Sequence, residues 1–90
     1  MISCEDGRCE VRGPLTLAGA AALVEEGRRL FVAESVVVDL AGVTEVDSAA
    51  VSLLLEWRRA ARGANRRIEY VNVPENLKSL AALYGVSELL

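Results

Sequence analysis

Ser35 to Trp57 reads SVVVDLAGVTEVDSAAVSLLLEW. Val36-Val37-Val38 is a β-branched run that ends on Asp39, and a short apolar run without alternation suits a strand covered on both faces. The segment therefore reads as the central strand of a sheet. Ala41 to Val46 follow as a loop. Asp47-Ser48 then precede apolar residues at helical spacing, which makes Asp47 the N-cap and Ser48 the first helical residue. Val46 and Val51 stand at the two positions of a hydrophobic staple, which fixes the angle of entry into the helix. The Ser48 hydroxyl is thereby expected at the positive end of a helix dipole, near the carboxyl end of the central strand.

Toward the N-terminus, Ile2-Ser3-Cys4-Glu5 and Arg8-Cys9-Glu10-Val11 flank Asp6-Gly7, a pair that signals a two-residue hairpin. The register sets Cys4 opposite Cys9 and Glu5 opposite Arg8, with Ile2, Cys4, Cys9 and Val11 on one face. Both thiols are expected to be small core-facing hydrophobes rather than a disulfide, because a cytosolic compartment keeps thiols reduced. A tetrahedral zinc site needs more ligands than two cysteines and no histidine can provide. Gly13-Pro14 is expected to break the strand, with Thr16 capping the helix that follows.

From Leu17 to Phe31, the residues Ala20, Leu23, Val24, Gly27, Leu30 and Phe31 form one amphipathic stripe. Gly27 within it costs ~1 kcal/mol relative to alanine, which points to close approach of this helix to a strand. The helix that begins at Ser48 extends to about Arg62, burying Ala50, Leu53, Leu54, Trp57 and Ala61. Val51 and Leu55 lie at its margin, where they either widen the buried stripe or form an exposed apolar strip beside Ser48. Ile68 to Val73 reads as a fourth strand and Pro74 as the first residue of a third helix. Leu77, Leu80, Ala81 and Tyr84 give that helix its apolar face, and Gly85 ends it in a left-handed cap with Val86 packing back. Helical crossovers imply that the last three strands run parallel, with the hairpin adding an antiparallel edge.

The order is α/β, and ninety residues leave room for one domain, residues 1–90. A chain of this size buries only ~60 to 65% of its unfolded surface, so every element must contribute to stability. No apolar run approaches the ~18 residues of a membrane span. The opening MISCEDGR lacks the basic start and apolar core of a secretory signal, which suggests a cytoplasmic protein. A net charge of −3 argues against a nucleic-acid partner, for which a basic stripe is the usual signature. Arg58, Arg59, Arg62, Arg66 and Arg67 do cluster around the second helix's C-terminus. Dipole complementarity and solvation account for them, with an acidic partner or lipid headgroups as the alternative.

The catalytic inventory is poor. Histidine is absent, and neither cysteine has a base partner in view. Asp39 and Asp47 in principle bracket a cation beside Ser48, but such a pair is more often a cap and a loop brace, so no metal and no cofactor are expected. Gly42 alone makes no phosphate-binding loop. A binding module is the stronger reading. Ser48, with the small Ala49 and Ala50 beside it, presents a hydroxyl that a partner can approach closely.

The run from Val36 to Leu90, VVVDLAGVTEVDSAAVSLLLEWRRAARGANRRIEYVNVPENLKSLAALYGVSELL, resembles the STAS domain of bacterial anti-sigma-factor antagonists and sulfate-transporter tails. Its most specific parts are the strand ending in Asp39-Leu40, the step Val46-Asp47-Ser48 and the closing Leu77-x-x-Leu-Ala-x-Leu-Tyr-Gly-Val86. The last piece looks most like the MlaB-type STAS subunit of the ABC system that moves phospholipids between the membranes of Gram-negative bacteria. The resemblance implies a STAS-like fold, with a four-stranded mixed sheet, an N-terminal hairpin and three helices. It implies a non-catalytic accessory subunit that binds a cytoplasmic ABC-transporter ATPase and reaches the membrane only through it. Partner contact then falls on Ser48 and on Thr44, Asp47, Ala49, Val51, Ser52 and Leu55. In the anti-sigma branch the matching serine is phosphorylated by a partner kinase, the alternative role for Ser48. Ala49-Ala50 depart from the common pattern, in which the small residues after the serine include glycine.

Overall fold

The structure, a computed structural model, describes residues 1–89. Asp6 and Gly7 both take positive φ, 51° and 79°, as a two-residue type I′ turn requires. The chain therefore reverses between β1 (Ile2–Glu5) and β2 (Arg8–Leu15). The pairing places Cys4 opposite Cys9 and Glu5 opposite Arg8, as the turn dictates.

The cysteines are joined in a disulfide, with their Cα atoms 4.0 Å apart. This corrects the expectation of two reduced thiols. A cross-strand pair one step from a two-residue turn is a close, non-hydrogen-bonded pair, and that proximity brings the two sulfurs within bonding reach. Nor do both point into the core. Ile2, Cys9 and Val11 are buried, whereas Cys4 is exposed near the hairpin tip.

Two further boundaries differ from the sequence reading, for one shared reason. Gly13-Pro14 does not end β2, and residues 41–46 are not a loop, since β3 runs unbroken from Ser35 to Val46. The two segments pair with each other in parallel, Gly13 with Val43 and Leu15 with Val46, across irregularities that follow Glu10 and Gly13. The last residue of β2 paired with β1 is Val11. Pro14 thus lies where the outer edge of β2 asks for no ladder donor.

The sheet order is β1-β2-β3-β4, with β4 at Arg67–Val71 parallel to β3. Chain turning at Asn72, φ 54°, ends β4 before Val73. Buried strand residues alternate: Cys9 and Val11, Val36, Val38 and Leu40, Ile68 and Tyr70. One face of the sheet therefore carries the core. The other presents Arg8, Glu10 and Glu69 around half-buried Val37 and Asp39, so β3 is not covered on both faces.

Helices α1 (Leu17–Leu30), α2 (Ser48–Gly63) and α3 (Glu75–Leu83) supply the rest of the core. Pro74 is the N-cap of α3, one residue outside the predicted helix start. Trp57 of α2 is 2% exposed, donates through Nε1 to the carbonyl of Leu23 at 3.2 Å, and meets the Phe31 ring edge-to-face at 4.9 Å. This contact explains Gly27. A Cβ there would stand 2.2 Å from the Trp57 Nε1, so the close approach is to a helix-borne indole and not to a strand. At the far end of α3, Gly85 takes φ 72° and the Val86 amide reaches back to the Ala81 carbonyl at 2.8 Å, the predicted cap.

Candidate functional site

Where β3 hands over to α2, Asp47 adopts extended backbone, φ −133°, and its side chain accepts from the Ala49 amide. Its two oxygens serve two helices. Oδ1 accepts from Ala49 N at 2.8 Å and Oδ2 from Leu17 N, the first residue of α1, at 3.0 Å. The Thr16 hydroxyl makes no cap bond. The Asp47 amide in turn donates to the Leu15 carbonyl at 3.3 Å, so one residue binds the ends of β2 and β3 to the starts of α1 and α2.

Ser48 follows directly and is exposed on the first turn of α2. Beside it an open, mostly apolar groove of about 860 Å³ runs between α1, α2 and the segment after α3. Asp47, Ser48, Ala49, Val51, Ser52 and Leu55 all line it. Val51 is 6% exposed and joins the core at the groove floor, while Leu55 is half-buried on its wall. Val51 thus widens the buried stripe, and Leu55 packs against the core from the groove side and is not part of an exposed strip. Thr44 is exposed on β3 and is not part of the lining.

Much of the remaining groove comes from residues that the sequence reading did not assign to a site: Leu17, Ala20, Ala21 and Val24 of α1, with Tyr84 and Val86 beyond α3. Leu17 is 77% and Tyr84 54% exposed. The signal for α1 was present, since Leu17 and Ala21 stand at i−7 and i−3 from Val24 and extend the apolar stripe on its Val24 side.

Asp39 does not join Asp47. It sits on the other face of the sheet, where the Ala41 amide, the Asn72 side chain and the Arg8 guanidinium converge on it. Those donors, led by the Ala41 amide, hold its carboxyl below the ordinary carboxylate value. Both aspartates are therefore committed to hydrogen bonds, and among the described residues no group of three or more Cys, Asp or Glu side chains could hold a metal ion. Tyr70 donates to the Leu54 carbonyl at 2.7 Å, and burial pushes its phenol well above the usual range. Of the arginine cluster, Arg58 lies 5.4 Å over the Tyr70 ring, Arg59 pairs with Glu56 and Arg66 donates to the Phe31 carbonyl.

The family model described as "Mlab, STAS domain" matches residues 2–90. The chain belongs to the STAS domain family. Several solved structures share the fold. A sulfate transporter family protein from Wolinella succinogenes superposes with a TM-score of 0.72 at 16% identity, over 96% of this chain and 73% of that one. The anti-sigma factor antagonist SpoIIAA in its unphosphorylated form gives 0.69 at 11% identity, over 92% and 81%. Mglu gives 0.65 at 25% identity over 86% of this STAS domain, which spans 20% of the Mglu chain. No curated protein matches the sequence. Among the described residues, no helix of the STAS domain is long and apolar enough to cross a membrane.

Proposed function

We propose that this STAS domain is a non-catalytic accessory subunit that docks on the ATPase of a phospholipid-transport ABC complex and supports its assembly and activity. It would work in the cytoplasm and reach the inner membrane only through that partner. The observation that carries this reading is the exposed Ser48 hydroxyl beside an apolar groove of about 860 Å³. Apolar partner side chains filling the groove would supply affinity, and the hydroxyl with its small neighbours Ala49 and Ala50 would supply a polar registration point. The match to the Mlab-type model supports the choice of partner. Catalysis has little to work with, since histidine is absent, both cysteines are bridged, and the carboxylate next to Ser48 is occupied by two backbone amides.

The test is copurification with the cytoplasmic ATPase and stimulation of its ATP hydrolysis. Ser48→Glu and, separately, Leu55→Glu are expected to weaken association at least tenfold, while Ser48→Ala is expected to have a much smaller effect. Full binding and stimulation by both glutamate variants would remove the groove as the docking site.

The same exposure of Ser48 favours a second reading, an anti-sigma-factor antagonist switched by phosphorylation at this residue. A phosphate there would add ~−1.5 to −2 charges at the end of α2 that favours anions, next to Asp47 and at the mouth of an apolar groove. It would disrupt a docked partner. Incubation with an anti-sigma kinase and ATP separates the two: phosphate incorporated at Ser48 supports the switch, and none supports the transport subunit.

A further inference from the structure

The segment Arg58–Arg67 holds half of the chain's basic residues and no acidic one. Four of its arginines, Arg58, Arg62, Arg66 and Arg67, line an open cleft of about 630 Å³ between the end of α2 and the start of β4, together with Ser35, Asn65 and Glu69. The backbone that builds the cleft is fixed by hydrogen bonds. Asn65 takes φ 58°, and the Asn65 and Arg66 amides return to the Arg62 and Ala61 carbonyls at 3.1 and 2.8 Å. The Arg67 amide donates to the Glu34 carbonyl at 2.8 Å. Two of the side chains are also held, Arg58 over the Tyr70 ring and Arg66 on the Phe31 carbonyl.

Complementing the helix dipole explains part of this cluster only. The α2 C-terminus carries about half a negative charge, and Arg62 in the last turn already offsets it. Arg66 and Arg67 lie beyond the cap, and neither they nor Arg62 forms a salt bridge among the described residues. Four arginines and a single acidic residue, Glu69, line this cleft, a concentration of positive charge on an otherwise acidic chain. Guanidinium forks match the oxygens of a phosphate, two N–H donors at a time.

We propose that this cleft is a binding site for a phosphate group, gripped chiefly by Arg62 and Arg67. It stands at the opposite end of α2 from Ser48, a span of ~24 Å for sixteen helical residues, so occupation leaves the groove free and does not depend on the proposed docking. A soluble phosphate compound and an anionic phospholipid headgroup offer the same chemistry.

The experiment titrates the isotope-labelled full chain, followed by its backbone amide resonances, with inorganic pyrophosphate. In parallel, the chain is sedimented with vesicles of phosphatidylglycerol in phosphatidylcholine, and both arms are compared with sodium chloride at equal ionic strength. Saturable shifts confined to Ser35 and residues 62–69 identify a soluble phosphate ligand, and sedimentation with the anionic vesicles alone identifies a headgroup. The double change Arg62→Gln, Arg67→Gln, at two exposed positions, is expected to weaken either response at least tenfold. Arg12→Gln with Arg29→Gln, which removes equal charge elsewhere, is expected to change it less than twofold. Responses no larger than the chloride control in both arms, or equal loss in the two double variants, would overturn the proposal.

Discussion

The carboxylate of Asp47 accepts a hydrogen bond at 3.0 Å from the backbone amide of Leu17, thirty positions earlier in the chain. With its bond to the Ala49 amide, this makes Asp47 the cap of two helices at once. It also sets α1 beside α2 where the groove opens. Asp47→Ala is therefore expected to cost more than an ordinary single cap, about 1–3 kcal/mol, seen as a lower urea midpoint at unchanged slope. Thr16→Ala, at the nominal cap of α1, is expected to cost under ~0.5 kcal/mol, since its hydroxyl bonds nothing there. Equal losses for the two would show that Asp47 does not bridge the helices.

Two glycines of α1 are expected to respond in opposite ways to alanine. Gly27 abuts the Trp57 indole, while a Cβ at Gly19 meets nothing within 4 Å. Gly19→Ala is expected to stabilise by roughly 0.5–1 kcal/mol through helix propensity. At Gly27 the same gain is outweighed by overpacking, for a net loss of about 1–2 kcal/mol. Thermal melts of the two variants against the parent give the comparison, and a stabilised Gly27→Ala would mean that Trp57 moves aside freely.

What was legible in the sequence is what local chemistry decides. Asp6-Gly7 set the hairpin register, Asp47 before an apolar run set the start of α2, and Gly85 set the end of α3. What was hidden depends on distant partners. Residues 41–46 carry Gly42, Thr44 and Glu45 and look like a loop, yet they become strand because β2 continues past Gly13 to lie beside them. The site divides in the same way. Ser48 and the apolar residues of both walls were readable from helical spacing, but the placement of α1 beside α2 required knowing that Asp47 also holds Leu17. Gly27 advertised a close approach without naming Trp57 as its cause.

The Cys4–Cys9 bridge closes a short loop, with a sequence separation of five. The chain-entropy relation then gives a contribution of about 2 kcal/mol. Reduction is expected to lower the urea midpoint accordingly, and Cys4→Ser is expected to match it, because Cys4 is exposed and Cys9 keeps its place in the core. Thiol titration of the unreduced, denatured chain should find no free thiol. Two reactive thiols would return the pair to the reduced state expected from the sequence.

Acid should act through Asp39. The Ala41 amide, the Asn72 side chain and Arg8 hold its carboxyl below the ordinary 3.8. A group with a depressed folded-state value contributes stability that is fully present above its unfolded value and is lost as pH falls toward and through the folded one. The loss is thus expected to begin near the ordinary value and to continue below it. Asn at position 39 cannot titrate and loses the ion pair to Arg8, 2.8 Å long in the parent. Asp39→Asn is therefore expected to be less stable than the parent near neutrality. The gap should narrow as the parent is acidified through and below the ordinary carboxylate range, read from urea midpoints over a pH series. A gap that stays constant down to the lowest pH at which the parent folds would show that the charge on Asp39 is not what its three donors stabilise.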